Sequence, residues 1–306
     1  MKNRLKLNGF TLIELMVVVS ILAVLAAIAI PIAGSVQRKG RMAKELSAAR
    51  QLMAAYLLYP ADNGGELLPG YGSFPAKDDT GAELHAPVSS RYPWRIAPYL
   101  EYDMRILWGN TSDDRLSKLK EGPRESYHYG VSVQPALGVN ALFVGGDYQS
   151  LSPTSSKVVS RYGQFCVTRM VQAVAPQKLI VFASAGSMSQ GMKLNGYFKV
   201  EAPNATGRVW STSYSPKAGP DSYGHVDFRW EDKAVAAMLD GHVELLDFDQ
   251  MNDMRRWANQ ASMANNPKWA LGQSEEQIPG GGDDGSWGDQ TPVGDHVDGN
   301  PTNEKP

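Results

Sequence analysis

A long stretch near the N-terminus of the chain carries no charged residue. From Leu15 to Gln37, 23 consecutive residues lack an acidic or basic side chain, and most of them are apolar. At about 1.5 Å of helical rise per residue, an apolar helix of this length reaches across the roughly 30 Å hydrocarbon core of a bilayer. The pattern therefore predicts a membrane-spanning helix over residues 10–36.

The helical pattern continues beyond this apolar run. Apolar residues recur at three- and four-residue spacing from Leu46 to Leu57, and the charged residues, Glu45 among them, are expected mostly on other faces. Pro60 disfavours helical backbone in the residue before it, so the helix is predicted to end at Tyr59. The spacing predicts an amphipathic extension over residues 37–59 whose apolar stripe packs against a head domain.

Strand patterns mark the second half of the chain. Residues 178–183 form a short apolar run, typical of a strand that is buried on both faces. Two further apolar runs, 233–239 and 242–247, are joined by Asp240-Gly241. This arrangement predicts a β-hairpin with a type I′ turn.

These patterns together predict an α+β fold. A long N-terminal helix would pack on a mostly antiparallel β head that covers residues 60–264, with a short helix over residues 251–264. From Asn265 onward the chain consists largely of Gly, Asp, Pro and Asn, with little apolar surface to bury. Such a composition predicts a disordered tail over residues 265–306.

The residues at the start of the apolar run form a specific motif. Basic residues at positions 2, 4 and 6 precede Gly9-Phe10-Thr11-Leu12-Ile13-Glu14. An ionised carboxylate in a membrane-spanning helix costs about 2.5–3.5 kcal/mol on insertion scales, which makes Glu14 a functional candidate. This N-terminus resembles that of type IV prepilins and type II secretion pseudopilins, over roughly residues 1–60.

The resemblance implies roles for four residues. Residues 1–9 would be a leader peptide, and a prepilin peptidase would cut between Gly9 and Phe10 and methylate the new amine of Phe10. Glu14 would face that cationic amine on a neighbouring subunit, which makes a carboxylate in lipid tolerable. Pro31 would lie where many such helices carry a proline that loosens or kinks them. The resemblance also implies a pilin-like architecture and partners in the inner membrane, namely the peptidase and other pilin or pseudopilin subunits.

Two alternatives account for part of this N-terminus. A plain transmembrane anchor explains the apolar run but not a glutamate that follows the Gly9-Phe10 junction. A secretory signal peptide explains the basic leader and the A-x-A site Ala27-Ile28-Ala29, but its apolar region would exceed the usual 7–15 residues. Basic residues flank the run on both sides, so the positive-inside rule does not set the orientation. The resemblance implies a cytoplasmic leader and an exported head.

The head resembles a subgroup of prepilin-like proteins with large heads that is abundant in planctomycete- and verrucomicrobia-type bacteria. The resemblance rests on residues 59–63 (Tyr-Pro-Ala-Asp-Asn), on residues 92–100 and on the Asp-Gly-His-Val hairpin at 240–243. In that subgroup a histidine commonly lies nine residues before the Asp-Gly pair. Here the candidate is His225, with fourteen residues between it and Asp240, so the pattern is not matched.

Composition narrows the possible functions further. The net charge is −2 and no basic stripe lies beyond the membrane flank, so no nucleic-acid partner is expected. The single cysteine, Cys166, excludes an intrachain disulfide and a CxxC site, and is expected to be buried. The chain lacks P-loop, H-E-x-x-H and G-x-S-x-G motifs. The sequence therefore predicts no enzymatic activity, no metal site and no cofactor.

Two functions fit these observations. The first is a prepilin-like subunit that assembles through its N-terminal helix into a type IV pilus or a type II secretion pseudopilus. The alternative is a membrane-anchored module that binds a polysaccharide or an exported substrate without polymerising, through aromatic residues such as Trp94, Trp108 and Trp210. For Trp94 and Tyr99 we expect core packing. Both functions imply a single-pass protein of the inner membrane, with the head in the periplasm or at the cell surface.

Overall fold

A single long helix dominates the N-terminal part of the protein. The computed structural model describes residues 10–109, 113–205 and 207–272, with backbone alone for residues 28–33 and 113–114. Helix α1 runs without interruption from Leu12 to Asp62 and is about 75 Å long. The predicted continuous N-terminal helix is therefore confirmed.

Helix α1 continues past Pro60, at which it was predicted to end. A proline in the last turn removes a single backbone donor and leaves the rest of the helix intact. Asn63 follows the helix, and its backbone N–H donates to the carbonyl of Pro60, 3.3 Å away. The Asn63 side-chain amide donates to the carbonyl of Tyr59 at 2.8 Å. Because these bonds satisfy carbonyls of the last turn, the helix is three residues longer than predicted.

The head is built around a four-stranded antiparallel sheet. Its strands lie in the order β3, β4, β7, β8, and each pairs with its neighbour in antiparallel fashion. Two small two-stranded antiparallel sheets, β1–β2 and β5–β6, lie outside it. The strand bounds are Ala76–Lys77 (β1), Glu83–Leu84 (β2), Leu137–Val139 (β3), Ile180–Ser184 (β4), Ser187–Ser189 (β5), Met192–Leu194 (β6), Lys233–Met238 (β7) and Val243–Asp247 (β8).

Short helices fill the connections between the strands. The α-helices after α1 are Tyr92–Ile96 (α2), Met104–Leu107 (α3), Asp113–Glu121 (α4), Arg124–Val133 (α5), Ser156–Tyr162 (α6), Phe248–Met251 (α7) and Asn259–Met263 (α8). Four 3₁₀ turns cover Ala97–Leu100, Met170–Gln172, Pro220–Tyr223 and Met254–Arg256. The described part of the chain is thus α+β, as predicted, although helices account for more of the head than the sequence indicated.

Both faces of the central sheet are buried, which explains the uninterrupted apolar run of β7. Val235 and Ala237 belong to the core that contains the α1 stripe, and the ring of Tyr56 from α1 meets Phe182 of β4 edge-on at 5.4 Å. Ala234 and Ala236 belong to a second core on the opposite face, built around tryptophan and phenylalanine side chains. The amphipathic half of α1 therefore packs on the sheet, as its spacing predicted.

The predicted hairpin joins β7 and β8, but its turn differs from the predicted type. The N–H of Gly241 donates to the carbonyl of Met238, and the N–H of Met238 donates to the carbonyl of His242. Gly241 has a φ of +98°, whereas Asp240 is not among the residues with positive φ. A type I′ turn needs positive φ at both central residues, so this is a three-residue loop that ends in a glycine bulge.

The C-terminal part of the head departs from two predictions. Residues 251–264 were predicted as one helix, but α7, a 3₁₀ turn and α8 replace it, and Asp253 caps the turn through the N–H of Arg255. The folded unit also extends beyond Asn265, because Leu271 is buried and donates its N–H to the carbonyl of Ala205 at 3.1 Å. The remainder of the predicted tail, residues 273–306, lies outside the described residues.

Candidate processing and assembly site

Helix α1 begins with a reciprocal capping box formed by Thr11 and Glu14. The N–H of Glu14 donates to Oγ1 of Thr11 at 3.2 Å, and Oε2 of Glu14 accepts the N–H of Thr11 at 2.9 Å. The Thr11 hydroxyl also donates to the same Oε2 at 2.8 Å. This pairing satisfies two of the N–H groups that a helix N-terminus leaves without a partner. The carboxylate is thereby fixed one helical turn from Phe10.

The second carboxylate oxygen of Glu14 is available to another donor. Within the described residues, no hydrogen bond reaches Oε1, and the side chain is exposed. Phe10 directly precedes the capping box and is 77% exposed. Glu14 and Phe10 thus lie together at an accessible helix N-terminus, whereas Gly9 and the predicted leader lie outside the described residues.

The leading part of α1 presents apolar side chains on every face. From Phe10 to Leu25, each large apolar residue is exposed by between 45% and 77%. Contiguous exposed apolar surface of this extent marks a surface that associates with a membrane or with other protein.

The predicted membrane span is not supported by the structure. Within the residues that are described, no helix combines the length and the apolar character needed to cross a membrane. Pro31 lies inside α1, but its side chain is outside the described residues, and its effect on the helix stays a prediction.

Helix α1 also carries a buried carboxylate, that of Glu45, which the sequence pattern predicted to be exposed to solvent. Glu45 is fully buried against the head, where its Oε1 accepts a hydrogen bond from the hydroxyl of Ser184 at the end of β4. The Ser184 hydroxyl in turn accepts the N–H of Val235 at 2.9 Å, which connects the helix to both central strands. The guanidinium of Arg229 lies 3.7 Å from Oε2 of Glu45 and 3.3 Å from Asp227.

Burial dominates the electrostatics of Glu45. Loss of solvation raises the pKa of its carboxyl above the ordinary value, and the positive charge of Arg229 and the Ser184 hydrogen bond offset only part of this effect. Glu45 precedes the buried Ala49 by four residues and Leu52 by seven, which is the spacing of the apolar stripe. This spacing places Glu45 on the buried face of the helix, whereas its charge alone predicts an exposed side chain.

The aromatic residues predicted for ligand binding are core residues. Trp94, Trp108 and Trp210 are at most 2% exposed, and the indole N–H of Trp94 donates to the carbonyl of His128 at 2.9 Å. Tyr99 is half-buried, and its hydroxyl accepts the amide of Asn63 at 3.1 Å. The predicted core role of Trp94 is confirmed, and the three tryptophans do not form an exposed binding platform. Cys166 is buried as predicted.

The structure does not bring His128, His225 and His242 together. His128 lies 3.5 Å from Asp78, and His242 lies 2.7 Å from Asp240. His225 lies 3.2 Å from Asp221, and its ring packs against that of Tyr197 at a centroid distance of 4.1 Å. Each histidine has its own carboxylate partner in a different part of the head.

Comparison with known proteins identifies the N-terminal motif. A family model described as the prokaryotic N-terminal methylation motif matches residues 5–30, which contain the capping box and Phe10. Comparisons with curated proteins and with solved structures found no match. The motif supports a type IV pilin-like or pseudopilin-like protein.

Proposed function

We propose that this chain is a prepilin-like subunit. A prepilin peptidase cleaves it between Gly9 and Phe10 and methylates the amine of Phe10. The mature protein then assembles with copies of itself or with other pilin or pseudopilin subunits, through residues 10–59, into a type IV pilus or a type II secretion pseudopilus. The match of residues 5–30 to the methylation motif is the observation that carries this proposal.

The geometry of Glu14 supports a role in assembly. One carboxylate oxygen caps its own helix, and the other is open to a donor from outside the described chain. A methylated ammonium on Phe10 of an adjacent subunit has the charge and the hydrogen-bonding capacity to meet that oxygen. Because an unpaired charge is costly in apolar surroundings, this pair fixes the stagger between neighbouring helices.

The proposal also includes a cellular location and a non-enzymatic role for the head. The exposed apolar part of α1 anchors the subunit in the inner membrane before assembly, and the head lies in the periplasm or at the cell surface. The head acts as a structural or binding unit rather than as an enzyme.

Two substitutions at the capping box separate assembly from simple helix capping. Glu14→Gln retains the capping-box hydrogen bonds but removes the charge, whereas Thr11→Ala removes the capping hydroxyl and keeps the carboxylate. We expect Glu14→Gln to reach the membrane and to be processed, yet to lose assembly. Thr11→Ala should assemble, since loss of an N-cap costs only about 1 kcal/mol.

Disulfide crosslinking measures this outcome directly. Single cysteines introduced between residues 15 and 27 form dimers only if helices of neighbouring subunits meet, and the native Cys166 is buried and does not compete. Normal crosslinking of Glu14→Gln would contradict the charge-pair mechanism. Loss of crosslinking in Thr11→Ala but not in Glu14→Gln would show that Glu14 acts through helix capping alone.

A further inference from the structure

A cleft of about 390 Å³ opens in the head beside helices α4 and α5. This volume falls in the range of small-molecule sites in proteins. The lining side chains that bear on its chemistry are Asp79, Trp94, Tyr102, Lys120, Arg124 and Tyr127. They come from the β1–β2 turn, α2, the loop before α3, the end of α4 and the start of α5, so the fold alone brings them together.

The aromatic floor of the cleft is rigidly held. The buried Trp94 ring meets Tyr127 edge-on at 5.9 Å and His128 edge-on at 4.9 Å. The indole N–H of Trp94 is bonded to the backbone of His128, which ties α2 to α5. Trp94 therefore fixes the orientation of the Tyr127 ring, which is partly exposed and has the ammonium of Lys120 over it, 5.9 Å from the ring centroid.

Another part of the cleft lining contains backbone in an unfavourable conformation. Glu101 and Tyr102 are consecutive non-glycine residues in the left-handed region, with φ of +51° and +57°. Such residues cost about 1–3 kcal/mol each and concentrate at functional sites. Their effect here is to direct the chain after the Ala97–Leu100 turn so that Tyr102 lines the cleft.

The charged groups at the cleft balance one another. Arg124 donates to Asp78 at 2.8 Å and to Asp79 at 3.1 Å, and Lys120 is the second cation of the lining. The lining thus contains two cations and one carboxylate, and the buried Asp78 behind it brings the local charge to zero. His128 adds no charge at neutral pH because burial lowers its pKa. Burial raises the pKa of Tyr127 to about 12, with help from nearby acidic residues, so its hydroxyl stays a donor.

We propose that this cleft binds one or two rings of a neutral saccharide. Tyrosine faces suit the C–H faces of a pyranose ring, and the balanced set of donors and acceptors suits ligand hydroxyls, each of which both donates and accepts. Because the charges of the lining and of the buried Asp78 sum to zero, the cleft offers no advantage to an anionic or cationic ligand. The inference concerns the head alone and does not depend on how the N-terminus is processed or assembled.

Saturation-transfer NMR tests this inference on the full mature chain. The protein is held in lauryldimethylamine oxide micelles, which contain no sugar, and is titrated with maltose, cellobiose, lactose or diacetylchitobiose at up to about 10 mM, the range that detects millimolar affinity. We expect at least one of the four to bind, and Tyr127→Ala to weaken that binding by about tenfold or more, which corresponds to about 1.4 kcal/mol. Tyr127→Phe should change it by less than about threefold, because the ring remains.

A matched control and a second variant keep the test decisive. Tyr129 lies on the same helix, is 48% exposed and is outside the cleft lining, so Tyr129→Ala should leave binding unchanged. If Tyr127→Ala does not fold, Lys120→Met at the cleft serves instead and should also weaken binding. The proposal is overturned if none of the four disaccharides binds, if binding survives the cleft substitutions, or if galacturonate or a neutral peptide binds in preference to the disaccharides.

Discussion

Replacement of Asp78 by asparagine is expected to destabilise the head in a strongly pH-dependent manner. Oδ1 of Asp78 accepts hydrogen bonds from the N–H and the hydroxyl of Thr80 and from the N–H of Ala82, at 2.7–3.0 Å. Oδ2 accepts Arg124 at 2.8 Å, and the side chain is only 1% exposed. Asparagine keeps one acceptor but directs an NH₂ group at the guanidinium, which leaves a buried mismatch.

The lowered pKa of Asp78 determines how much its carboxylate contributes to the stability of the head. Burial alone raises this pKa, but the hydrogen bonds from Thr80 and Ala82 and the charge of Arg124 outweigh it and hold the pKa at about 2, against 3.8 ordinarily. A carboxylate with a lowered pKa stabilises the fold above its unfolded pKa and loses this effect as the pH falls through the folded pKa. At about 1.4 kcal/mol per pH unit, and allowing for screening of the half-exposed Arg124, the contribution is about 2 kcal/mol at pH 7 and roughly 0.5 kcal/mol at pH 2.

Thermal unfolding of the mature chain in micelles, followed by near-UV circular dichroism, measures this effect. Asp78→Asn should lower the Tm by about 4–8 °C at pH 7, and by much less at pH 2. Asp79→Asn is the matched control, because Asp79 contacts the same Arg124 but its side chain is 62% exposed, so the change should stay below about 1 kcal/mol. Equal effects of the two variants at pH 7, or an Asp78→Asn effect that does not shrink at pH 2, would show that the Asp78 carboxylate does not stabilise the head in this way.

Two further predictions concern the buried interface and one constrained glycine. The pKa of Glu45 is raised by burial, so its contribution to stability is complete below the ordinary pKa of 4.5 and declines as the pH rises. In unfolding experiments, Glu45→Gln should therefore gain stability relative to the native protein between pH 4 and pH 7. A difference in stability that stays constant between these pH values would argue against this. A Cβ on Gly145, whose φ is +74°, would lie 2.0 Å from the carbonyl oxygen of Leu68. In urea unfolding, Gly145→Ala should therefore lower the free energy of unfolding by more than about 2 kcal/mol. Gly64→Ala, with φ of +62° and open space around it, should lower it by only about 1 kcal/mol. Similar losses in both variants would show that the Cβ of residue 145 does not clash with Leu68.

The elements that were predictable from the sequence are those in which local pattern and burial agree. The β7–β8 hairpin follows from two apolar runs and an Asp-Gly pair, and the packing face of α1 follows from its stripe. Glu45 was misplaced because a charged residue within a helical stripe reads as solvent-exposed unless a buried partner is known. That partner, Ser184, lies 139 residues away and is brought to the helix only by the fold.

The same distinction between local pattern and tertiary contact applies to the site residues. The proximity of Phe10 and Glu14 was predictable because they lie within five consecutive positions, and a capping box with Thr11 needs only such local spacing. The cleft beside α4 and α5 was not predictable, because Asp79, Tyr102 and Lys120 lie on separate segments and nothing in their spacing indicates that they meet. Local spacing likewise could not show that Asp253 begins a separate turn within the predicted helix over residues 251–264.

Mass spectrometry of the N-terminus of the membrane-purified protein shows directly whether this chain is processed as a prepilin. We expect a mature chain that begins at Phe10 with a methylated amine, and a Gly9→Ala variant that retains residues 1–9. A chain that begins after Ala29 would identify a secretory signal peptide, and a native protein that retains its leader would identify a plain anchor. Either of those masses would contradict the proposal that this chain is processed as a prepilin.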